Sequence, residues 1–217
     1  MAGATQPPNK LLHLTGAASS VLRGYLSGRR PRQVSFGVRQ QEGFALDTPI
    51  DGVGFDPRDW GRRLAQRLRL EIFNAHRKVG IDSIRAFAID CYPWHGNVLC
   101  ISFLTDREWP DLDEQGGKWD IASWRLYAFP SAPHCQWPYG EDVLREAQRY
   151  YDAADSPEEA AKRRDVILRS CIEALNDSLV QKELQRYELT PDFEIYVGHA
   201  DAPGRNYYKE WGGAGQR

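Results

Sequence analysis

The chain has 217 residues, with 28 Lys and Arg against 30 Asp and Glu and a formal charge of −2. That length suits one domain with extensions. The near balance of charge excludes a histone-like or polybasic protein, and the apolar runs fall well short of the ~20 residues a membrane span needs.

The balance is a cancellation. Residues 1–41 hold six basic residues (Lys10, Arg23, Arg29, Arg30, Arg32 and Arg39) and no acid, so the remaining 176 residues carry −8. This stretch is rich in Gly, Ser, Ala, Gln and Pro, buries too little apolar surface to offset the entropy of ordering it, and is expected to be a flexible basic leader. A transit peptide, an arm for an anionic partner and a dispensable leader are the three readings of it. It is not a secretory signal, because no apolar core follows its basic start.

A single domain is expected over 42–201. After an entry loop at 42–56, Asp56-Pro57-Arg58-Asp59 marks a helix start: Asp56 caps, Pro57 takes the first helical position and Asp59 faces the helix dipole. The helix is predicted to run to Val79, burying Trp60, Leu64, Leu68, Ile72, Ala75 and Val79 and leaving a basic outer face. Strands are predicted at Ile84–Cys91, where Phe87, Ile89 and Cys91 alternate with Ala86 and Ala88, and at Val98–Thr105. The turn chemistry of Pro93-Trp94-His95-Gly96-Asn97 makes them a hairpin. A polar connection over 106–123 leads to a third strand, Trp124–Phe129, and a short helix over Glu141–Ala153. Ser156-Pro157-Glu158-Glu159 then opens a long helix as a capping box. That helix is predicted to reach Leu184–Tyr187, with Leu168, Cys171, Ile172, Leu175 and Leu179 on one face. A last strand follows at Phe193–Val197, with Phe193, Ile195 and Val197 inward, before a frayed tail over 202–217 that includes Trp211 and Gly212. The order implies an α+β fold with an antiparallel sheet of about four strands packed by helices.

No complete catalytic or cofactor signature is present, and no cofactor is expected. The four cysteines, Cys91, Cys100, Cys135 and Cys171, form no C-x-x-C pair and read as free thiols in a reducing cytoplasm, although Cys91 and Cys100 flank the hairpin turn and could bridge in an exported protein. Nucleophilic catalysis would draw on Cys91 or Cys135 with His95, His134 or His199, oriented by Asp90 or Asp201. Each also has a plain role as core filler or loop residue. A zinc site from these cysteines and histidines is disfavoured, because C-x3-H-x4-C matches no metal knuckle and His134-Cys135 are adjacent. Gly52-Val53-Gly54 precedes a helix but lacks the spacing of a phosphate loop. Asp111, Asp113 and Glu114 stand between Trp109 and Trp119 in what reads as a solvated or partner-binding face. Trp94 in a turn and Trp109 beside a proline are the tryptophans best placed to bind a partner. The basic first helix could meet phosphates, but no helix-turn-helix, RNP or zinc-finger pattern accompanies it, and a solvated face is the preferred reading.

The run Asn9-Lys10-Leu11-Leu12-His13-Leu14-Thr15-Gly16-Ala17-Ala18 resembles a leader found before unrelated reading frames in some bacterial genomes. From the first helix to Val197 the chain resembles a bacterial family known only as a domain of unknown function. The likeness is carried by the capped first helix, Ala86-Phe87-Ala88-Ile89-Asp90, Ile121-Ala122-Ser123-Trp124-Arg125-Leu126-Tyr127, Cys171-Ile172-Glu173-Ala174-Leu175 and Phe193-Glu194-Ile195-Tyr196-Val197. Families of this build include immunity-type proteins that neutralise partner toxins; the resemblance brings no catalytic residues with it. The expectation is a cytoplasmic, non-enzymatic binding module. Residues 80–217 carry a net −9, which suits a basic protein partner met through Trp94, Trp109, Asp111, Asp113 and Glu114. A thiol- or metal-dependent hydrolase is the first alternative and a nucleic-acid-binding protein the second.

Overall fold

A computed structural model describes residues 54–79, 82–92, 98–114, 120–129, 140–199, 202 and 204–212. All fall in the second of the two units into which the chain divides, Phe36–Arg217. The basic leader lies outside the described residues.

Helix α1 spans Pro57–Val79. Asp56 Oδ1 accepts the backbone N–H of Arg58 at 2.9 Å and of Asp59 at 3.2 Å, so the cap forms as the sequence requires. Trp60, Leu64, Leu68, Ile72, Ala75 and Val79 are all buried. Full burial of a Leu or Ile side chain contributes roughly 1.5–3 kcal/mol, so this face is what keeps the helix on the body. Trp60 is sealed completely because its indole Nε1 donates to the Val143 carbonyl at 2.9 Å.

Strand β1 (Ile84–Tyr92) pairs antiparallel with β2 (Val98–Thr105), with Phe87 opposite Phe103, Ile89 opposite Ile101 and Cys91 opposite Leu99. Strand β3 (Leu189–Gly198) lies on the other side of β1 and runs parallel to it, with Phe87 opposite Ile195, Ile89 opposite Val197 and Asp90 opposite Gly198. The sheet is therefore mixed and three-stranded, in the order β2-β1-β3. This corrects the expected antiparallel sheet of about four strands, while the α+β class stands. Between β2 and β3 the chain passes through α3 (Glu141–Asp152), α4 (Pro157–Leu175) and α5 (Ser178–Leu184). That long crossover brings the chain back to the end at which β1 begins, and a strand starting there runs parallel to β1.

The expected third strand, Trp124–Phe129, is not one. It meets β2 through an isolated bridge from Leu126 to Phe103 and one further backbone hydrogen bond, from the Phe129 N–H to the Ile101 carbonyl at 2.9 Å. Ala128, at φ 51°, takes the left-handed conformation and ends the extension. The polar connection before it holds a short helix, α2 (Trp109–Glu114), and a 3-10 turn at Ile121–Ser123. Residues 106–114 and 120–129 thus form a strap over one face of the sheet. Beneath it lie Ala86, Ala88, Leu104 and Tyr196, joined by Ile121 and Trp124 from the strap. The opposite face carries Phe87, Ile89, Cys91, Phe103, Ile195 and Val197 into the main core with α1 and α4.

The long helix predicted after Ser156 breaks in two at Asn176-Asp177. Asp177 Oδ1 accepts the N–H groups of Leu179 at 2.8 Å and Val180 at 3.3 Å, which starts α5 anew. The break turns Leu179 outward, where it is 50% exposed, and buries Val180 and Leu184 in its place. At the start of α4, Ser156 Oγ accepts the Glu159 N–H at 3.1 Å, but the Glu159 carboxylate reaches back to the N–H of Asp155 at 3.0 Å, one residue earlier than a capping box requires. The tail also departs from expectation. Trp211 and Gly212 belong to a π-helical turn, Tyr208–Gly212, docked by a 2.7 Å hydrogen bond from the buried Tyr208 hydroxyl to Asn176 Oδ1 and by Arg169 over the Trp211 ring at 4.4 Å. Among the described residues no helix is long and apolar enough to cross a membrane.

Because Asp177 alone caps α5, Asp177→Ala is expected to lower stability by about 1 kcal/mol, read as a reduced midpoint in urea with an unchanged slope.

Candidate functional site

Alternation along β1 sets the chemistry. Ala86 and Ala88 face the strap, so Asp90, two residues further, faces the same way. It sits at the C-terminal end of β1, level with Gly198 at the C-terminal end of the parallel neighbour β3. Ligands in sheets with parallel strands bind beyond such ends, and here a cleft of about 200 Å³ opens, lined by Asp90, Asp120, Ile121, Tyr127, Tyr196, Gly198, His199 and Arg205 among others. Gly198 lets the floor pack closely, since a larger residue would push its neighbours by a few tenths of an ångström. A Cβ there would lie 3.0 Å from the Tyr196 ring and 3.2 Å from Ile121 Cδ1.

Asp90 is only 4% exposed. Tyr127 donates to its Oδ2 at 3.1 Å, and Tyr127 is in turn 2.7 Å from the Tyr92 hydroxyl. Its other oxygen makes no hydrogen bond among the described residues. Burial pushes the Asp90 carboxyl up to about 7; the Tyr127 hydrogen bond works against this and the charge of Asp120 adds to it. Burial likewise raises the Tyr127 and Tyr196 phenols, so both stay protonated and able to donate.

The far wall is built by the segment after β3. His199 is buried, its Nε2 2.9 Å from the Tyr207 hydroxyl and its ring stacked on Tyr207 at 5.4 Å. Arg205 donates to the same hydroxyl at 3.1 Å and grips Glu210 through Nε and Nη2 at 2.7–2.9 Å. The Arg205 charge is thereby matched by Glu210, and the guanidinium pKa is raised chiefly by that pairing.

Of the catalytic candidates, the structure places His199 in this cleft, beside the candidate orienter Asp90. Cys91 lies on the helix-covered face of the sheet, fully buried with its sulfur 3.9 Å from that of Cys171. The Cys171 contact and burial raise its thiol pKa. Cys91 and Cys100 cannot bridge, because they pair with Leu99 and Asp90 respectively and so point to opposite faces. Cys100 is disulfide-bonded, which departs from four free thiols. His95, His134, Cys135, Asp201 and Trp94 lie outside the described residues. Among the described residues no three His, Cys, Asp or Glu side chains gather closely enough to hold a metal ion.

The interface candidates occupy the other end of the same sheet face. Trp109 is half-buried, with the Arg85 guanidinium over its ring at 4.4 Å, while Asp111, Asp113 and Glu114 on α2 are exposed. Arg85 itself bridges Asp106 and Asp192, fixing the start of the strap to β3. On α1 the basic stripe is largely paired: Arg62 and Arg63 with Asp59, Arg63 also with Glu146, Arg67 with Asp142 and Arg69 with Glu183.

Tyr127, Tyr196, Asp120, Arg205 and Tyr207 were not legible as site residues. Asp90 had a signal: a carboxylate in register with two small apolar residues on a predicted strand. No protein-family model matches the chain, and no curated protein or solved structure is detectably similar to it.

Two outcomes are expected. In the folded chain Asp90 keeps its proton up to about pH 7, whereas in the unfolded chain it loses it near pH 4. The folded state therefore binds more protons across that range. The stability this group contributes is fully present below about pH 4 and is lost as pH rises through 7, by at most about 4 kcal/mol. Asp90→Asn, which cannot ionise, is expected to gain on the wild type between pH 5 and pH 8 in paired thermal melts. Cys91 and Cys171 are expected to resist iodoacetamide in the native protein and to react fully in denaturant, as read by intact mass.

Proposed function

We propose that this protein is a non-enzymatic binding module for a basic partner protein, held at the cleft beyond the ends of β1 and β3. The single observation that carries the reading is Asp90: a nearly buried carboxyl that lines a cleft, has one oxygen without a hydrogen bond among the described residues, and draws its strongest charge interaction from another acid, Asp120. Ionising such a carboxyl calls for a cation beside it, and a partner supplies one. The net −9 of residues 80–217 supports this by steering a basic surface toward the body. The exposed acids of α2 lie on the same sheet face and extend the contact surface. An immunity-type inhibitor fits this class.

A thiol hydrolase draws less support, since no thiol lines the cleft among the described residues. Nucleic-acid binding through α1 draws less as well, since Arg62, Arg63, Arg67 and Arg69 are matched by neighbouring carboxylates. The two buried thiols suit a reducing cytoplasm, whereas the disulfide at Cys100 suits an oxidising compartment.

The test is affinity capture from the native host with wild-type and Asp90→Asn baits in parallel. A basic protein retained by the wild type and reduced at least tenfold on the variant is the expected result. Capture that ignores Asp90, or no specific capture, overturns the reading.

A further inference from the structure

The chemistry around Asp90 is specific enough to say what enters the cleft. Its Oδ1 accepts no hydrogen bond among the described residues, whereas Oδ2 already accepts from Tyr127 and would have to be shared. A guanidinium fork needs two oxygens of one carboxylate to bind bidentately. A primary ammonium needs none of that geometry: it is a compact point charge with three donors that can go to separate acceptors. Two acceptors of different origin are present, Asp90 from β1 and Asp120 from the head of the 3-10 turn, and the cleft is walled by the rings of Tyr127 and Tyr196. Aromatic walls suit both a cation and the methylene stem that carries it.

Resting on the reading of the cleft as the partner's seat, we propose that it takes one lysine side chain of the partner, its ammonium placed between Asp90 and Asp120 and its stem along Tyr127 and Tyr196. The groups that face Asp90 decide how the seat responds to pH. Tyr92, Tyr127 and Tyr196 stay neutral through the physiological range because burial raises their phenols. Arg205 is held by Glu210, and His199 engages Tyr207. Asp120 lines the same cleft and supplies the second carboxylate. Ionisation of Asp90 is therefore what turns the seat on, and it falls near neutrality.

The experiment titrates the full chain with N-acetyl-lysine amide by NMR, at pH 5.5 and pH 8. N-ε-acetylated lysine amide, N-acetyl-arginine amide and 1,5-diaminopentane serve as comparison arms. If only the ionised form binds, the apparent affinity for the lysine amide rises roughly thirtyfold between the two pH values. Asp90→Asn, checked for folding by its own spectrum, is expected to abolish binding, and Asp120→Asn to weaken it while keeping the pH dependence. The acetylated arm is expected not to bind and the arginine arm to bind at least fivefold more weakly. No binding at pH 8, equal binding of the acetylated arm, or binding retained by Asp90→Asn overturns the proposal. A diamine that binds more than tenfold tighter than the lysine amide overturns the side-chain assignment in favour of a free amine. Failure of the lysine seat is separable from failure of the partner reading, since Asp90-dependent capture of a host protein would persist in the first case and not in the second.

Discussion

Strand β1 is hydrogen-bonded on both edges and buried on both faces, and every layer of the molecule is defined by how it divides its side chains. Phe87, Ile89 and Cys91 present bulk to α1 and α4. Ala86 and Ala88 present almost none, so the strap can approach the sheet closely and seal the other face with Ile121 and Trp124. A strand of uniformly large residues would pack one helical layer well and hold the strap off. The small-large alternation allows two unlike covers on one thin sheet.

The same alternation creates the site. Once Ala86 and Ala88 set the strap side, a carboxylate at position 90 must face that way too, at the edge where the strap ends and the parallel strand β3 stops. Its burial is tolerated because Tyr127 donates to it and because its proton can stay on until about neutral pH. The left-handed Ala128 follows directly after Tyr127, and its N–H is held by Ser102 Oγ at 3.1 Å, so the backbone that positions Tyr127 is anchored to β2. The far wall depends on the tail: Tyr207 and the π-helical turn after it pack against the core and carry the groups that engage His199 and Arg205.

Charge is arranged unevenly, and this matters for any partner. The cations of α1 are largely satisfied by acids of their own helix, α3 and α5, which hold the helical layer together. Such exposed pairs contribute only a few tenths of a kcal/mol each, so their effect is more to neutralise the basic stripe than to stabilise it. The strap side carries acids of its own: Asp90 and Asp120 in the cleft, and the exposed carboxylates of α2.

The sequence by itself determined the elements whose signals are local. The start of α1 at Pro57, six of its buried positions, the hairpin of β1 and β2 and the Ser156 cap were all readable, because capping, helical period and strand alternation act within a few residues. Asp90 and His199 were visible as candidate chemistry, though not as neighbours. What only the tertiary structure decided was non-local. Helix α5 separated from α4 because Asp177 competes as a cap and the tail ties down Asn176 beside it. Residues 124–129 missed being a strand because Ala128 bends and Leu126 finds a single partner. Strand β3 joined β1 in parallel because three helices carry the chain back across the sheet. The cleft is the product of those events: Asp90, Asp120, Tyr127, Tyr196, His199 and Arg205 come together across more than a hundred residues of chain, and no local pattern encodes a meeting enforced by strand order and packing.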